Sequence, residues 1–199
     1  MKLNLGCGRD IKKGYVNVDL YTTPGVDVTC DLSRLPWQWK AESVDEVIML
    51  DFLEHFPYAK TNAILAEVYR ILKSDAPVEI QVPSFEECSK AMNRAVGMLC
   101  NKCGFKFADE ISLRCLCQQC GQAPFEIAEA GMKRLFGGQD FSGNFHYTAF
   151  TEDSLKRVLV DAGFNRFESL EVEHQRLNWN YKIRARKIGL TNDLWGSEP

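Results

Sequence analysis

The stretch Lys2-Leu3-Asn4-Leu5-Gly6-Cys7-Gly8 constrains the fold more than any other. Apolar residues run directly into a Gly-X-Gly turn. A buried strand ending in a tight turn is the simplest structure for this pattern, because glycine accepts positive φ angles and lets a ligand come close to the backbone. In open α/β sheets, ligands sit just outside the carboxyl ends of such strands. The stretch reads as a first strand that carries a cofactor, with an ordinary strand-to-turn corner as the alternative.

Beyond Gly8 the chain keeps a β–α rhythm. Tyr15-Val16-Asn17-Val18-Asp19-Leu20 alternates as a strand, and only residues 9–15 separate it from the first. A parallel crossover usually takes a dozen or more residues and a helix, so this one must be very short, at most a single helical turn. Val26–Cys30 is a short third strand and Val44–Leu50 a fourth. The loop between them carries Trp37 and Trp39, expected to pack in the core or at its edge in preference to forming a substrate platform. Tyr58 to Leu72 places Ile64, Leu65, Val68, Ile71 and Leu72 at helical spacing, with Thr61 as a candidate cap. Val78–Val82 alternates as a fifth strand. Thr151 caps a helix that Gly163 ends, and Phe164–Glu173 and Tyr181–Lys187 read as two final strands. Asp19 and Asp31 are carboxylates at strand ends. An acidic group at the end of strand two can accept hydrogen bonds from both ribose hydroxyls of a nucleoside, and a solvated strand-end Asp is the plainer alternative.

Between residues 86 and 140 the rhythm stops. Two helices are expected there, over Glu86–Met98 and Pro124–Phe136, flanking five cysteines. Cys100-Asn101-Lys102-Cys103-Gly104 and Cys117-Gln118-Gln119-Cys120-Gly121 are two Cys-x-x-Cys-Gly knuckles, thirteen residues apart. Four thiolates at this spacing bind zinc tetrahedrally, and each Gly permits the tight turn behind the second ligand. Cys100, Cys103, Cys117 and Cys120 are the expected ligands of a structural Zn²⁺. Cys115 could replace Cys117, and redox cysteines or buried free thiols are the alternatives to metal. Cys7, Cys30 and Cys88 read as packed small residues. The segment carries seven Lys/Arg and seven Asp/Glu, and the whole chain has net charge −3, so a nucleic-acid partner is not favoured. Lys182, Arg184 and Arg186 alternate on the last strand, where basic side chains on a sheet edge more often block pairing than bind a ligand. No run of about 18 apolar residues exists, so no membrane span is expected. Met1-Lys2-Leu3 enters the first strand directly, so no signal peptide is expected, and eight cysteines without one argue for reduced thiols or metal in a cytoplasmic protein.

The ordered set Leu3-Asn4-Leu5-Gly6-Cys7-Gly8, Gly14–Asp19, Cys30-Asp31-Leu32, Leu53-Glu54-His55-Phe56 and Glu67–Lys73 resembles the class I S-adenosylmethionine-dependent methyltransferases, in particular a compact branch with a short first crossover. The resemblance covers residues 1–85 and resumes at 141–188. It implies that Gly6, Cys7 and Gly8 bring the backbone to the methionine part of the cofactor. Asp19, with Leu20 beside it, would hold the ribose, and Asp31 and Leu32 the adenine. Asp51 and Leu53 would line the sulfonium end, and Glu54-His55 matches the family's acidic-His pair. Where the family often has Lys-Pro-Gly-Gly, this chain has Lys73-Ser74-Asp75-Ala76 and must turn without glycine. A nicotinamide site is disfavoured, because position 11 is Ile and Asp19 follows Gly8 too closely.

Two histidines are candidate catalytic bases. His55 sits beside the cofactor strand; otherwise it is a helix-start residue satisfied by hydrogen bonds. His146 lies in Gly137-Gly138-Gln139-Asp140…Asn144-Phe145-His146-Tyr147, and a related Gly-Gly-Gln…Phe-His stretch recurs in the same branch. It would bind the acceptor or act as base, with a loop-ordering hydrogen bond as the alternative. His174 reads as surface. The expectation is an α/β, Rossmann-like methyltransferase sheet of about seven strands, the last two an antiparallel edge pair. Residues 1–85 and 141–190 form the domain, 86–140 a zinc-clipped insertion after strand five that lids the acceptor side, and 191–199 a tail. The expected reaction is methyl transfer from S-adenosylmethionine to an unidentified acceptor, a small molecule by preference. Its rival is a non-catalytic module whose zinc unit contacts a protein or nucleic acid.

Overall fold

The computed structural model describes residues 1–93, 125–172 and 179–188. Seven strands form one mixed sheet: β1 (Lys2–Leu5), β2 (Val16–Asp19), β3 (Val28–Thr29), β4 (Glu46–Leu50), β5 (Pro77–Pro83), β6 (Phe164–Ser169) and β7 (Asn180–Lys187). Their order is β3-β2-β1-β4-β5-β7-β6. The pairs from β3 to β5 are parallel, and β7 runs antiparallel to both β5 and β6. Helices α1 (Tyr58–Ile71), α2 (Phe85–Asn93), α3 (Phe125–Phe136) and α4 (Glu152–Asp161) complete the described elements.

The short first crossover contains no helical turn. Hydrogen bonds from two buried asparagines do the work instead. Asn4 Nδ2 donates to Asp10 O and Asn17 Oδ1, at 2.8 and 2.9 Å. Asn17 Oδ1 also accepts from Lys12 N at 2.8 Å, and Asn17 Nδ2 donates to Lys12 O and to Asp27 Oδ2. Asn17 thus ties β2 to the loop before it and to the segment that enters β3. Buried backbone groups in a loop need partners, and a primary amide supplies both donors and acceptors.

The 30–45 loop adds two tryptophans to the core. Trp37 and Trp39 are buried and meet edge to face at 6.0 Å. Trp37 N donates to Glu67 Oε1 and Trp37 Nε1 to Leu32 O. Arg70 ion-pairs with Glu67 and donates to the Trp37 and Trp39 carbonyls. These contacts clamp the loop to α1, whose Ile64, Leu65, Val68 and Ile71 are buried against the sheet.

Two expectations are corrected. Thr61 does not cap α1: Pro57 holds the N-cap position and Thr61 is buried one turn inside. Proline is well placed there because the chain enters the helix from an extended conformation. β7 is not an edge strand. It lies between β5 and β6, and its basic face is matched by carboxylates: Lys182 and Arg184 both pair with Glu79, at 2.7 and 2.9 Å, and Arg184 reaches Glu168. The helix expected over Glu86–Met98 is described from Phe85 to Asn93, and its remainder lies outside the described residues. The glycine-free turn after α1 is made by Asp75 at φ 61°, a conformation Asp tolerates better than most residues. At α4 the expected cap is present, with Thr151 and Ser154 exchanging side-chain-to-backbone bonds. Cys100, Cys103, Cys115, Cys117, Cys120, His174 and the tail from 191 also lie outside the described residues. Among the described residues no helix is long and apolar enough to cross a membrane.

Candidate active site

Strand order reverses at β1. The chain goes outward from it to β2 and β3, and later returns through β4 to build the other half. At this switch point a cavity of about 560 Å³ opens beyond the strand ends. Gly6, Gly8, Asp19, Leu20, Asp31 and Leu32 line its first half. Asp51, Phe52 and His55 line the second, and residues 141–145 with Tyr147 form the facing wall.

The first half is made of strand ends. Gly6 has φ 67°, and a Cβ there would lie 2.1 Å from the Phe52 ring. No larger residue fits without moving Phe52. Gly8, at φ 52°, has nothing within 4 Å of its missing Cβ. The backbone beside it is open to a ligand. Asp19 bridges this turn and its own strand end: Oδ2 accepts from Gly8 N at 2.8 Å and Oδ1 from Tyr21 N at 3.0 Å. Each oxygen keeps a further lone pair. Asp31 accepts from Ser33 N, Ser33 Oγ and Arg34 Nε, and the Ser33 bonds come first among the causes that hold its carboxyl below the usual range.

Two residues expected at the cofactor keep their side chains out of the cavity. Cys7 is buried behind the turn, where its N–H donates to Val18 O. Burial, then the Asp19 charge, pushes its thiol up to about 11. Leu53 is fully buried in the core. Its 3-10 turn, Leu53–His55, instead aims its neighbour His55 at the cavity, just after Phe52.

The second half is assembled from distant segments. Asp51 has φ 52°, an uncommon backbone state for a non-glycine residue and one that clusters at functional sites. Arg134 from α3 grips it with two bonds, at 2.7 and 2.8 Å, while Arg134 Nε donates to Asn180. Gly137 and Gly138 explain the Gly-Gly-Gln stretch: a Cβ on Gly137 would lie 2.3 Å from Asn144 O and one on Gly138 2.5 Å from the Asn144 amide. The tight loop they form returns residues 141–147 along the cavity. Tyr147 N and Thr148 N donate to Glu54 O, and Thr148 Oγ1 donates to Phe56 O, stitching this segment to the Leu53–His55 turn. Tyr21 and Phe141 close the mouth edge to face at 6.2 Å. The described cover over the cavity thus comes after the cysteine-rich insertion in sequence.

His55 and His146 meet edge to face, with ring centroids 4.7 Å apart. His55 lines the cavity, and its Nδ1 is 3.1 Å from Phe145 O. A carbonyl can only accept, so Nδ1 carries the hydrogen and Nε2 the lone pair. Burial lowers the basicity of both rings; His146 falls to about 4, from burial first and then from the charge His55 would carry. Glu54 is 1% exposed, and burial, then the Asp51 charge, pushes its carboxyl up to about 8. Sequence reasoning missed Phe52, Tyr21, Phe141 and Arg134. No local pattern marks them, since each acts across the fold.

No family model matches the sequence, and no curated protein matches it. Solved structures do. A Burkholderia thailandensis 1,6-didemethyltoxoflavin-N1-methyltransferase, with bound 1,6-didemethyltoxoflavin and S-adenosylhomocysteine, aligns over 94% of this chain and 71% of its own at 19% identity and a TM-score of 0.57. A Thermotoga maritima S-adenosylmethionine-dependent methyltransferase aligns over 94% and 81%, at 16% identity and TM-score 0.53. One from Methanosarcina mazei aligns over 94% and 92%, at 20% and 0.51. The seven-stranded sheet with its single reversed strand is thus the class I fold of S-adenosylmethionine-dependent methyltransferases.

Proposed function

We propose that this chain transfers the methyl group of S-adenosylmethionine to a small-molecule acceptor. One observation carries the reading. A single cavity at the switch point is lined at one end by the Gly6–Gly8 turn, Asp19 and Asp31, and at the other by Asp51 and His55. The first end has the size, open backbone and acceptor carboxylate that a nucleoside with an amino-acid tail requires. In the proposed complex Asp19 takes the ribose hydroxyls, with Leu20 beside it. Asp31 and Leu32 take the adenine, and the backbone around Gly6, Cys7 and Gly8 takes the methionine part. Leu53 supports this end from the core, and Asp51 and Phe52 replace it at the sulfonium.

When bound, S-adenosylmethionine supplies an electrophilic methyl carbon with a neutral thioether as leaving group. The protein supplies position. Fixing both reactants at contact distance removes much of the entropic part of the barrier, up to about 7–11 kcal/mol in favourable cases. The wall of residues 141–147 bounds the cavity on the side facing the strand ends, and its aromatic side chains suit a flat acceptor. His55, with His146 behind it, stands at the acceptor end as the candidate base. The cavity volume lies in the range of small-molecule sites. The Burkholderia neighbour holds 1,6-didemethyltoxoflavin and S-adenosylhomocysteine in its structure.

The four-cysteine zinc clip remains part of the proposal. α2 and α3, the described parts of the insertion, pack against each other and so tie both sides of the cysteine-bearing stretch to one helix pair. That is the geometry a clip at Cys100, Cys103, Cys117 and Cys120 would close. Metal analysis of the purified protein should find one zinc per chain.

Isothermal titration with S-adenosylhomocysteine tests the main reading. Saturable binding that Asp19→Ala weakens is expected. A folded chain that binds neither S-adenosylmethionine nor S-adenosylhomocysteine would instead be a non-catalytic module built on this fold.

A further inference from the structure

We propose that Glu54, His55 and His146 form a site for a divalent transition-metal ion at the acceptor end of the cavity. Their ligand atoms lie within 4.8 Å of one another. An ion with bonds of about 2.1 Å wants tetrahedral ligands about 3.4 Å apart, so modest side-chain rotations close the set.

Two independent facts point to a ligand there. Neither carboxylate oxygen of Glu54, and not His146 Nδ1, has a hydrogen-bond partner among the described residues, although all three atoms are buried. Leaving a buried polar group unpaired is costly, and more so when it is charged. A cation would satisfy all three at once. The second fact is how His55 is held. Its Nδ1 hydrogen is directed at Phe145 O, which leaves Nε2 as a fixed lone pair. Imidazoles that bind metals are usually oriented in this way, by a carbonyl or carboxylate on the other nitrogen.

The three residues come from two segments that the backbone locks together. Tyr147 N and Thr148 N bond to Glu54 O, and His146 N bonds to Phe136 O. The nearby Arg134 charge is already taken by Asp51, so it does not oppose a cation unanswered. Two imidazoles and one carboxylate favour ions such as Mn²⁺, Fe²⁺ or Zn²⁺ over Mg²⁺ or Ca²⁺.

The use of the ion rests on the methyl-transfer reading, with His55 and His146 serving as ligands in place of a base. His55 lines the cavity, so the ion would meet the acceptor on that side. An acceptor hydroxyl or phenol bound to it becomes more acidic and loses its proton to water at the cavity mouth. The oxygen lone pair then forms the C–O bond as the C–S bond breaks, and the electrons of that bond stay on sulfur as the thioether. The substrate class is therefore an oxygen acceptor, phenolic or enolic.

The test compares wild type, Glu54→Gln and His146→Gln as full chains. Each is equilibrated with excess Mn²⁺, which does not displace Zn²⁺ from thiolates, and total transition metal per chain is counted by mass spectrometry. Wild type should hold one ion per chain more than either variant. Equal metal content in all three overturns the site. If one variant fails to fold, the other decides, and His55→Gln serves as the third. Thermal stabilisation by S-adenosylhomocysteine is measured alongside. Stabilisation with equal metal content removes the metal site and leaves the methyltransferase reading. A metal difference without stabilisation does the reverse.

Discussion

The two ends of the cavity are built in different ways. The end beside β1, β2 and β3 is made from strand termini and their first turns, all within the first 33 residues, and its polar groups are paired with nearby backbone. The end beside β4 is made from residues up to 92 positions apart: Asp51 with Arg134, His55 with Phe145, Phe56 with Thr148. It carries a strained Asp51, a buried carboxyl and two facing imidazoles. A constant ligand can be met by local, backbone-dominated geometry. On the proposed reading, a varied acceptor would need side chains that long-range packing can re-aim, and buried polar groups of this kind concentrate at functional sites.

The largest effect should come from the first end. In Gly6→Ala the new Cβ would fall 2.1 Å from the Phe52 ring, in a backbone state that L residues adopt poorly. Binding of S-adenosylhomocysteine should be lost and the melting temperature should fall. Gly8→Ala, with open space at the same φ range, should cost only the left-handed backbone term, about 1–2 kcal/mol of stability. Equal behaviour of the two variants in calorimetry would show that φ alone, without the Phe52 contact, sets the turn.

Asp19→Asn comes next. Both carboxylate oxygens accept from backbone N–H groups, so an amide nitrogen must face a donor. Loss of charge-assisted bonds costs about 1.5–3 kcal/mol each, or roughly 10–100-fold in affinity for S-adenosylhomocysteine. Unchanged affinity would move the ribose away from Asp19.

The contrast between the two ends also explains what the sequence could reveal. Strand patterns, the Gly6–Gly8 turn, Asp19 and Asp31 are local signals, and the structure brings them to one cavity. The Thr151 cap is equally local. Spacing alone makes the first crossover short, but its solution through Asn4 and Asn17 depends on three strands meeting, which spacing does not encode. β7 reads as an edge strand because alternating cations suit one; its place between β5 and β6 reflects Glu79 and Glu168, which only pairing brings opposite. Phe52 lines the cavity and Leu53 enters the core because a 3-10 turn rotates side chains differently from a strand extension. Arg134 could not be seen, since nothing near it in sequence names Asp51 as its partner.

A smaller effect is expected at the second end. Arg134→Gln removes the two bonds to Asp51, in a pair that is about a quarter to a third exposed. Stability should fall by about 1–2 kcal/mol after allowing for solvent screening. Affinity for S-adenosylhomocysteine should change by less than about threefold, because the nucleoside contacts lie at the other end. A large loss of affinity would mean that the two ends are coupled through Asp51.

The smallest expected effect is at Cys7, which sits inside the Gly6–Gly8 turn and yet faces away from the cavity. Its thiol is pushed from the ordinary 9 up to about 11 by burial and by Asp19. The thiolate is the reactive form, so at pH 8 roughly one molecule in a thousand is reactive, against one in ten for an unshifted thiol. Because the folded value lies above the unfolded one, the protonated thiol favours the folded state fully below about pH 9, and this contribution is lost as pH rises towards 11. Peptide mapping after iodoacetamide treatment at pH 8 should find Cys7 unmodified with and without S-adenosylhomocysteine. Labelling that the ligand suppresses would put the sulfur itself in the cavity. The turn would then contribute a side chain as well as backbone, and the first end would resemble the second more than its hydrogen bonds now suggest.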